Sequence, residues 1–403
     1  MTTQTLLITL SGHDRPGVTK GLFTALDPSA IVQDIEQLVV RDRLVLTALV
    51  DIDASLVPST TQTITALAQD LDLDVSINEH VAESAGKRHR IQITLLGSPL
   101  RPEAIRRVAE ELTAHGANVD RIRRIAKYPV TALLFEVSGA SASNLRRALA
   151  NAASETGVDI AVQEAGLDRR GQHLVVMDVD STVIQNEVID LLAAEAGVLA
   201  EVALITERAM AGELDFAASL RERVALLKGL PVAVIDKVRG QISLTPGART
   251  LCRTLNTLGY RVCLVSGGFV EVIEPLAEEL GIDRLRANRL AVVDGFLTGE
   301  VDGPIVDRLG KRKALEEFAE EFGIPMRRTI AIGDGANDID MLEAAGLGVA
   351  FNAKAAARAA ADTAVNVPYL DSVLYLLGIT REDIEDADEL AGIVTPAPPL
   401  LAP

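Results

Sequence analysis

The sequence is poor in cysteine, in long apolar runs and in positive charge, and each shortage removes a class of function. Only two cysteines, Cys252 and Cys263, occur in 403 residues. They show no metal-ligand spacing and fall in segments that read as a helix and a buried strand, so both are expected to be core residues. No apolar stretch reaches the roughly twenty uninterrupted residues that a membrane helix needs. The start, Thr5-Leu-Leu-Ile-Thr-Leu10, reads as a strand and lacks the basic leader of a signal peptide. Lys and Arg number 39 against 57 Asp and Glu, a formal charge of -18. That excess repels polyphosphate backbones and acidic lipid surfaces, so neither nucleic acid nor membrane is expected as a partner. A phosphorylated substrate would have to be met by local cations. What is present, 48% hydrophobic and 24% charged residues without a long polar low-complexity tract, predicts a well-folded cytoplasmic protein of roughly two or three domains.

The pattern along the chain divides it into four parts: 1–83, 88–165, 171–380 and a tail at 381–403. In the first part an apolar strand, Leu6 to Leu10, is followed by the turn Ser11-Gly-His-Asp-Arg-Pro-Gly17 and a helical pattern with Val18, Leu22, Phe23 and Leu26. Two β-like runs, Ala30 to Val40 and Leu44 to Ile52, a helix from Ser59 to Asp70 and a strand near Val75 complete a βαββαβ order. That order is the ferredoxin-like split βαβ arrangement. It recurs from Arg90 to Gln163, with strands at Ile91 to Leu95, Val119 to Ala126, Val130 to Val137 and Ile160 to Val162. A period of about eighty residues marks a tandem domain pair rather than a short-repeat solenoid.

From Gly171 the pattern becomes continuous apolar runs alternating with longer helices, the mark of a Rossmann-like parallel sheet covered on both faces. Strands are predicted at His173 to Met177, Arg261 to Val265, Thr329 to Ile332 and Gly348 to Phe351. The first three end at Asp178, at Ser266, and at Gly333 with Asp334. The crevice of an open α/β sheet lies outside its carboxyl strand ends, so these endings are expected to share one site. The mainly helical stretch 185–247 is too long for a simple crossover and reads as a lid over that site. The acidic, Pro-rich tail after Thr380 reads as a partly disordered terminus.

Asp178 and Asp180, two apart at a buried strand exit, repel each other unless a cation or proton intervenes. Gly333-Asp-Gly-Ala-Asn-Asp338 brings further carboxylates from another strand end. Hard oxygen donors with open positions suit Mg²⁺. None of the five histidines is needed for chemistry built on these groups.

The run Asp178-Val-Asp-Ser-Thr182, then Ser266-Gly-Gly268, Lys311, and Gly333-Asp-Gly-Ala-Asn-Asp338, in this order and spacing, resembles the four motifs of the haloacid dehalogenase-like phosphatases. Val183-Ile-Gln-Asn-Glu187, Ala209-Met-Ala-Gly-Glu-Leu-Asp-Phe216 and Ser219-Leu-Arg-Glu-Arg223 narrow the resemblance to the phosphoserine phosphatases. The resemblance implies Asp178 as nucleophile and Asp180 as general acid and base. It implies Mg²⁺ held by Asp178, Asp334 and the carbonyl of Asp180, with Asp338 behind them or as an extra contact. The Ser266 hydroxyl, the Gly267 amide and the Lys311 ammonium would bind the phosphoryl oxygens, and Arg312 or Lys313 would replace Lys311 if the register slips. Asn337 would touch substrate or phosphate. For O-phospho-L-serine as substrate, Glu187 would meet the ammonium and Arg223 the carboxylate, with Met210 and Phe216 closing the lid. The alternatives are a phosphatase of another small phosphomonoester, or an amino-acid sensor with a vestigial phosphatase domain.

The turn His13-Asp-Arg-Pro-Gly-Val18 resembles that of the ACT domains, small modules that bind amino acids. L-serine is the ligand this implies, near Asp14 and Gly17, where free amides at a helix start favour a carboxylate. The second copy has Gly97-Ser-Pro-Leu-Arg-Pro102 instead and lacks the pattern. The competing expectation is that both copies only assemble a homodimer by sheet pairing.

Overall fold

The computed structural model describes residues 2–79, 90–166, 169 and 171–396. The chain forms two compact units, Met1–Gly86 and Lys87–Pro403. The expected boundaries at 83 and 88, part of the join between 165 and 171, and the Pro-rich end 397–403 lie outside the described residues.

The first unit runs β1 (Thr3–His13), α1 (Val18–Ala25), β2 (Ile31–Val40), β3 (Arg43–Asp53), α2 (Val57–Asp70) and β4 (Leu73–Glu79). These strands form an antiparallel sheet of order β2-β3-β1-β4. Period-two alternation drives one face inward: Leu6, Ile8 and Leu10 of β1 and Leu44, Leu46 and Ala48 of β3 pack on Val18 and Leu22 of α1 and Ile64 of α2. The edge strand β2 is exposed along its whole length, its apolar residues included.

The second unit opens with the same order: β5 (Arg90–Gly97), α3 (Pro102–Ala114), β6 (Asn118–Ala126), β7 (Thr131–Ser138), α4 (Ala142–Thr156) and β8 (Asp159–Glu164). Ile91, Ile93, Leu95 and Phe135 of this sheet meet Val108 of α3 and Leu145 and Leu149 of α4. The opposite face, with Leu96, Ala132, Leu134 and Ala161, is buried in the core shared with the larger sheet that follows. Burial on both faces explains the unbroken apolar run Ala132-Leu-Leu-Phe135 within this strand.

The rest of the unit is a seven-stranded sheet of order β12-β11-β10-β9-β13-β14-β15. It is built from β9 (Leu174–Met177), four helices α5 (Val188–Ala196), α6 (Leu199–Met210), α7 (Phe216–Ala225) and α8 (Val234–Arg239), then α9 (Ala248–Thr257) and β10 (Arg261–Phe269). There follow α10 (Val270–Glu279), β11 (Arg284–Val293), β12 (Phe296–Asp302), α11 (Arg308–Glu321), β13 (Thr329–Gly333), α12 (Ile339–Ala344), β14 (Leu347–Phe351), α13 (Ala355–Ala360), β15 (Thr363–Val365), α14 (Val373–Leu376) and α15 (Arg381–Leu390). Six strands run parallel and β12 pairs antiparallel with β11 at one edge. After β9 the chain passes to β10 on one side and later to β13 on the other, so a crevice opens at the carboxyl end of β9. Among the described residues no helix is long and apolar enough to cross a membrane. Cys252 and Cys263 are free and buried.

Three expectations need correction. The four predicted strands are seven, because the β11–β12 hairpin and β15 went unread. Asp294 and Gly295, both at positive φ, make its turn, and an Asp-Gly pair between β-branched runs is a strong hairpin signal. Strand β10 continues past Val265 through Ser266-Gly-Gly to Phe269. The first part of the expected tail is helical: Thr380 and Asp383 form a reciprocal cap on α15, Ile384 is buried, and Asp388 takes a two-pronged bond from Arg253 at 2.7 and 2.6 Å.

Candidate active site

Strand β9 is buried along its length and delivers Asp178 to the base of a cleft of about 660 Å³. The next residues form a tight turn in which Ser181 adopts φ +57°, a left-handed conformation costly for serine. That turn swings Asp180 back beside Asp178. Its own contacts hold it there: Oδ1 accepts the Val188 amide at 2.8 Å and Oδ2 the Ser266 hydroxyl at 3.0 Å. The Ser181 hydroxyl donates to Glu187 at 2.8 Å, tying the strained turn to the start of α5.

Lys311 enters from the first turn of α11, which Asp307 caps through the Gly310 amide. Its side chain is 1% exposed, with Nζ 2.7 Å from Asp178 Oδ1 and 2.7 Å from Asp338 Oδ1. Neighbouring Arg312 and Lys313 reach Glu316 and Glu317 on the exposed face of α11 instead. Lys311 and the Val179 amide both engage Oδ1 of Asp178, which leaves Oδ2 toward the cleft. Asp338 is fully committed: Oδ1 to Lys311, Oδ2 to the Asp334 and Gly335 amides at 3.1 and 2.9 Å. Any Cβ at Gly333 would fall 2.4 Å from the Asp338 carboxyl carbon, so glycine there is a packing requirement.

One oxygen each of Asp178, Asp334 and Asp338 lies within 4.8 Å of the others. Burial pushes the Asp178 carboxyl well above its ordinary range, Asp338 adds to the shift and Lys311 opposes it. Asp334 is pushed up to about 6, first by burial and then by Asp338 and Glu187, against Lys311 and Lys354. Burial alone would lower the Lys311 pKa, but Asp178 and Asp338 raise it overall. Lys311 therefore stays charged, and the cluster still carries more negative charge than one ammonium offsets. The oxygen donors and the uncompensated charge fit a divalent cation held by Asp178 and Asp334, with Asp338 orienting the groups behind them. Asp180 is raised to about 7 by burial and then by Glu187, against the Val188 amide and the Ser266 hydroxyl. That value suits a group that gives and takes a proton near neutrality.

The opposite wall comes from β10. Gly268 donates to the Ser266 hydroxyl at 2.8 Å, and Cβ atoms at Gly267 and Gly268 would lie 2.9 Å from the Phe216 ring and from Asp180 Oδ2. The lid helices α5 to α7 add Glu187, Met210, Phe216 and Arg223, with Asn337 completing the mouth. Burial lowers the Arg223 pKa, and Asp190, Glu187 and Asp180 oppose that shift. Of the residues expected from the third domain, Asp178, Asp180, Glu187, Met210, Phe216, Arg223, Gly267, Asp334 and Asn337 line this cleft, with Met210 71% exposed at the rim, whereas Ser266, Lys311 and Asp338 are buried behind its wall.

Four residues were missed. Asp190, Arg308 and Lys354 line the same cleft. Buried Asn288 of β11 donates to the Gly267 carbonyl at 2.8 Å and accepts the Val306 amide at 2.8 Å, bracing the end of β10. An asparagine inside an alternating apolar run was the available signal. In the first unit, Gly17 has φ +102° and precedes α1 without a side-chain cap, while the Asp14 amide donates to Asp42.

Comparison with known proteins agrees with this geometry. Residues 175–343 match the haloacid dehalogenase-like hydrolases, and residues 4–78 and 89–163 match ACT domains. The chain is 56% identical to the phosphoserine phosphatase of Streptomyces coelicolor over 96% of its own length and 95% of that protein's. The chain belongs to the phosphoserine phosphatases. It is also 50% identical to phosphoserine phosphatase SerB2 of Mycobacterium tuberculosis, over 95% of both chains. A probable phosphoserine phosphatase of Vibrio cholerae shares the fold at a TM-score of 0.58, with 34% identity across 77% of this chain and 91% of that one. Membership makes this a hydrolase of the haloacid dehalogenase-like class with two ACT domains before it.

Proposed function

We propose that this enzyme hydrolyses O-phospho-L-serine to L-serine and phosphate with Mg²⁺, through an aspartyl phosphate on Asp178, as the last step of serine biosynthesis. The observation that carries the reading is that Asp178, Asp180 and Asp334 line one cleft with Glu187 and Arg223, with buried Lys311 2.7 Å from Asp178.

Oδ2 of Asp178 attacks phosphorus as the bond to the serine oxygen breaks, and Asp180 gives that oxygen its proton. Water then attacks the same phosphorus, Asp180 takes the proton back, and phosphate leaves Asp178 free. Lys311, the Ser266 hydroxyl and the Gly267 amide bind the phosphoryl oxygens, where charge accumulates in both displacements. Bound Mg²⁺, held by Asp178, Asp334 and the Asp180 carbonyl, would neutralise part of that charge. Glu187 and Arg223 supply opposite charges for the two ends of serine, and Asn337, Met210 and Phe216 enclose its short carbon skeleton.

Phosphate release from a panel of phosphomonoesters, with Mg²⁺ and with EDTA, tests the reading. Phosphoserine should exceed sugar phosphates at least a hundredfold in kcat/KM, and EDTA should stop turnover. Equal rates across the panel would remove the substrate assignment.

L-serine is proposed to inhibit by binding near Asp14 and Gly17. The uncapped start of α1, with Gly17 in a left-handed conformation, supports this. Two copies are proposed to pair through β2, on the strength of its exposed Ile31, Ile35, Leu38 and Val40. Two buried free thiols accord with a cytoplasmic enzyme.

A further inference from the structure

Arg223 leaves the lid helix α7 in its last turn and lines the catalytic cleft half-buried. Its Nε donates to the Ser219 carbonyl one turn back, at 3.3 Å. A guanidinium carries five N–H donors. Among the described residues no acceptor is bonded to the four on its terminal nitrogens, and no carboxylate forms an ion pair with it. Burial works against its charge, and Asp190, then Glu187, then Asp180 sustain it from a distance. No direct contact fixes which of the three it turns to.

Those three carboxylates differ in what they have left to give. Asp180 has both oxygens committed, to the Val188 amide and the Ser266 hydroxyl. Glu187 has one committed, to the Ser181 hydroxyl. Asp190, one turn along α5 from Glu187, lines the same cleft half-buried, and neither of its oxygens accepts a hydrogen bond from the described residues. Burial pushes its carboxyl above the ordinary range, and Arg223 is the charge that opposes the shift. A half-buried acid without a donor and a half-buried guanidinium without a carboxylate each gain by meeting.

We propose that Asp190 is the positioning residue for Arg223: it draws the guanidinium toward itself and away from Glu187, and leaves N–H groups for the carboxylate of an amino-acid phosphate. Four N–H groups suffice for both acceptors at once. The inference rests on the phosphoserine reading, in which Arg223 takes the substrate carboxylate and Glu187 its ammonium. Without Asp190, Glu187 becomes the strongest remaining countercharge. A contact between Arg223 and Glu187 would then spend both substrate-binding charges on each other.

A double-mutant cycle in the full-length chain with Mg²⁺ tests this, with O-phospho-L-serine and p-nitrophenyl phosphate as substrates and circular dichroism as the check on folding. Asp190→Asn should lower kcat/KM for phosphoserine at least tenfold through KM, with kcat within threefold. Arg223→Gln should lower it further. Adding Asp190→Asn to Arg223→Gln should change it less than twofold, because the group that Asp190 positions is gone. Asp190→Ser takes the place of Asp190→Asn in both backgrounds if the latter does not fold. An unchanged KM in Asp190→Asn, or a loss of more than twofold in the Arg223→Gln background, overturns the proposal. A wild type that hydrolyses phosphoserine no better than p-nitrophenyl phosphate removes the phosphoserine reading and this inference with it. A wild type that prefers phosphoserine while Asp190→Asn keeps its KM removes this inference only.

Discussion

The two ACT domains share one βαββαβ order yet bury themselves differently. In the first, one sheet face packs on α1 and α2 within a core of its own. In the second, the helix-covered face is matched by a second apolar face sunk into the catalytic core. Its β8 is joined to the catalytic domain by bonds from Asn366 to Asp159 at 2.8 and 2.6 Å and from Thr363 to the Ile160 carbonyl at 3.1 Å. Where the first copy has Asp-Arg-Pro-Gly before α1, the second has Ser-Pro-Leu-Arg-Pro before α3. The first copy carries the Asp-Arg-Pro-Gly turn and a core of its own, and the second forms part of the catalytic domain's wall. The duplication thus separates a self-contained copy from one that supports the catalytic domain.

The largest expected effect that can break this division comes from paired core truncations. Leu134→Ala and Leu46→Ala should each cost about 2–5 kcal/mol locally, but only Leu134→Ala should lower the temperature at which phosphatase activity is lost. Hydrogen exchange should report Leu46→Ala within residues 2–79. If Leu46→Ala inactivates as readily, the two domains are not energetically distinct. Next, Asp159→Ala removes both bonds to Asn366 and should cost about 1–3 kcal/mol, read in the same thermal inactivation curve.

A smaller cost with a sharper readout is expected from Gly17→Ala. No atom crowds the new Cβ, so the penalty is backbone strain at φ +102°, about 1–2 kcal/mol. Serine inhibition should weaken at least tenfold while uninhibited kcat/KM holds. The smallest effect on stability, within about 0.5 kcal/mol, is expected for Ile35→Lys/Leu38→Lys on exposed β2. These changes should nonetheless shift the chain toward monomer in size-exclusion chromatography, whereas Ile122→Lys on β6 should not.

The candidate catalytic centre was legible because Asp178 and Asp334 each follow the end of a buried strand. A short apolar run followed by Asp178 or Asp334 states both the secondary structure and the place where the side chain emerges, whereas β10 runs on through Ser266 to Phe269. Lys311 was harder, since Arg312 and Lys313 are its chemical equals; only the face that α11 turns inward selects it. Asn288 left only a faint local signal, an asparagine in the β11 run, and Asp190 left none, because its place in the cleft comes from the lid. The second ACT domain's burial was half legible, in a β7 too apolar for a strand with a wet face.

The account rests on Asp178 as the group that takes the phosphoryl transfer. Rapid quenching of the enzyme during turnover of labelled O-phospho-L-serine, followed by borohydride reduction and peptide mapping, reads this directly. Homoserine at position 178 in the wild type, and neither label nor turnover in a folded Asp178→Asn variant, is the predicted result. Label trapped on another residue, or undiminished turnover in Asp178→Asn, would contradict it.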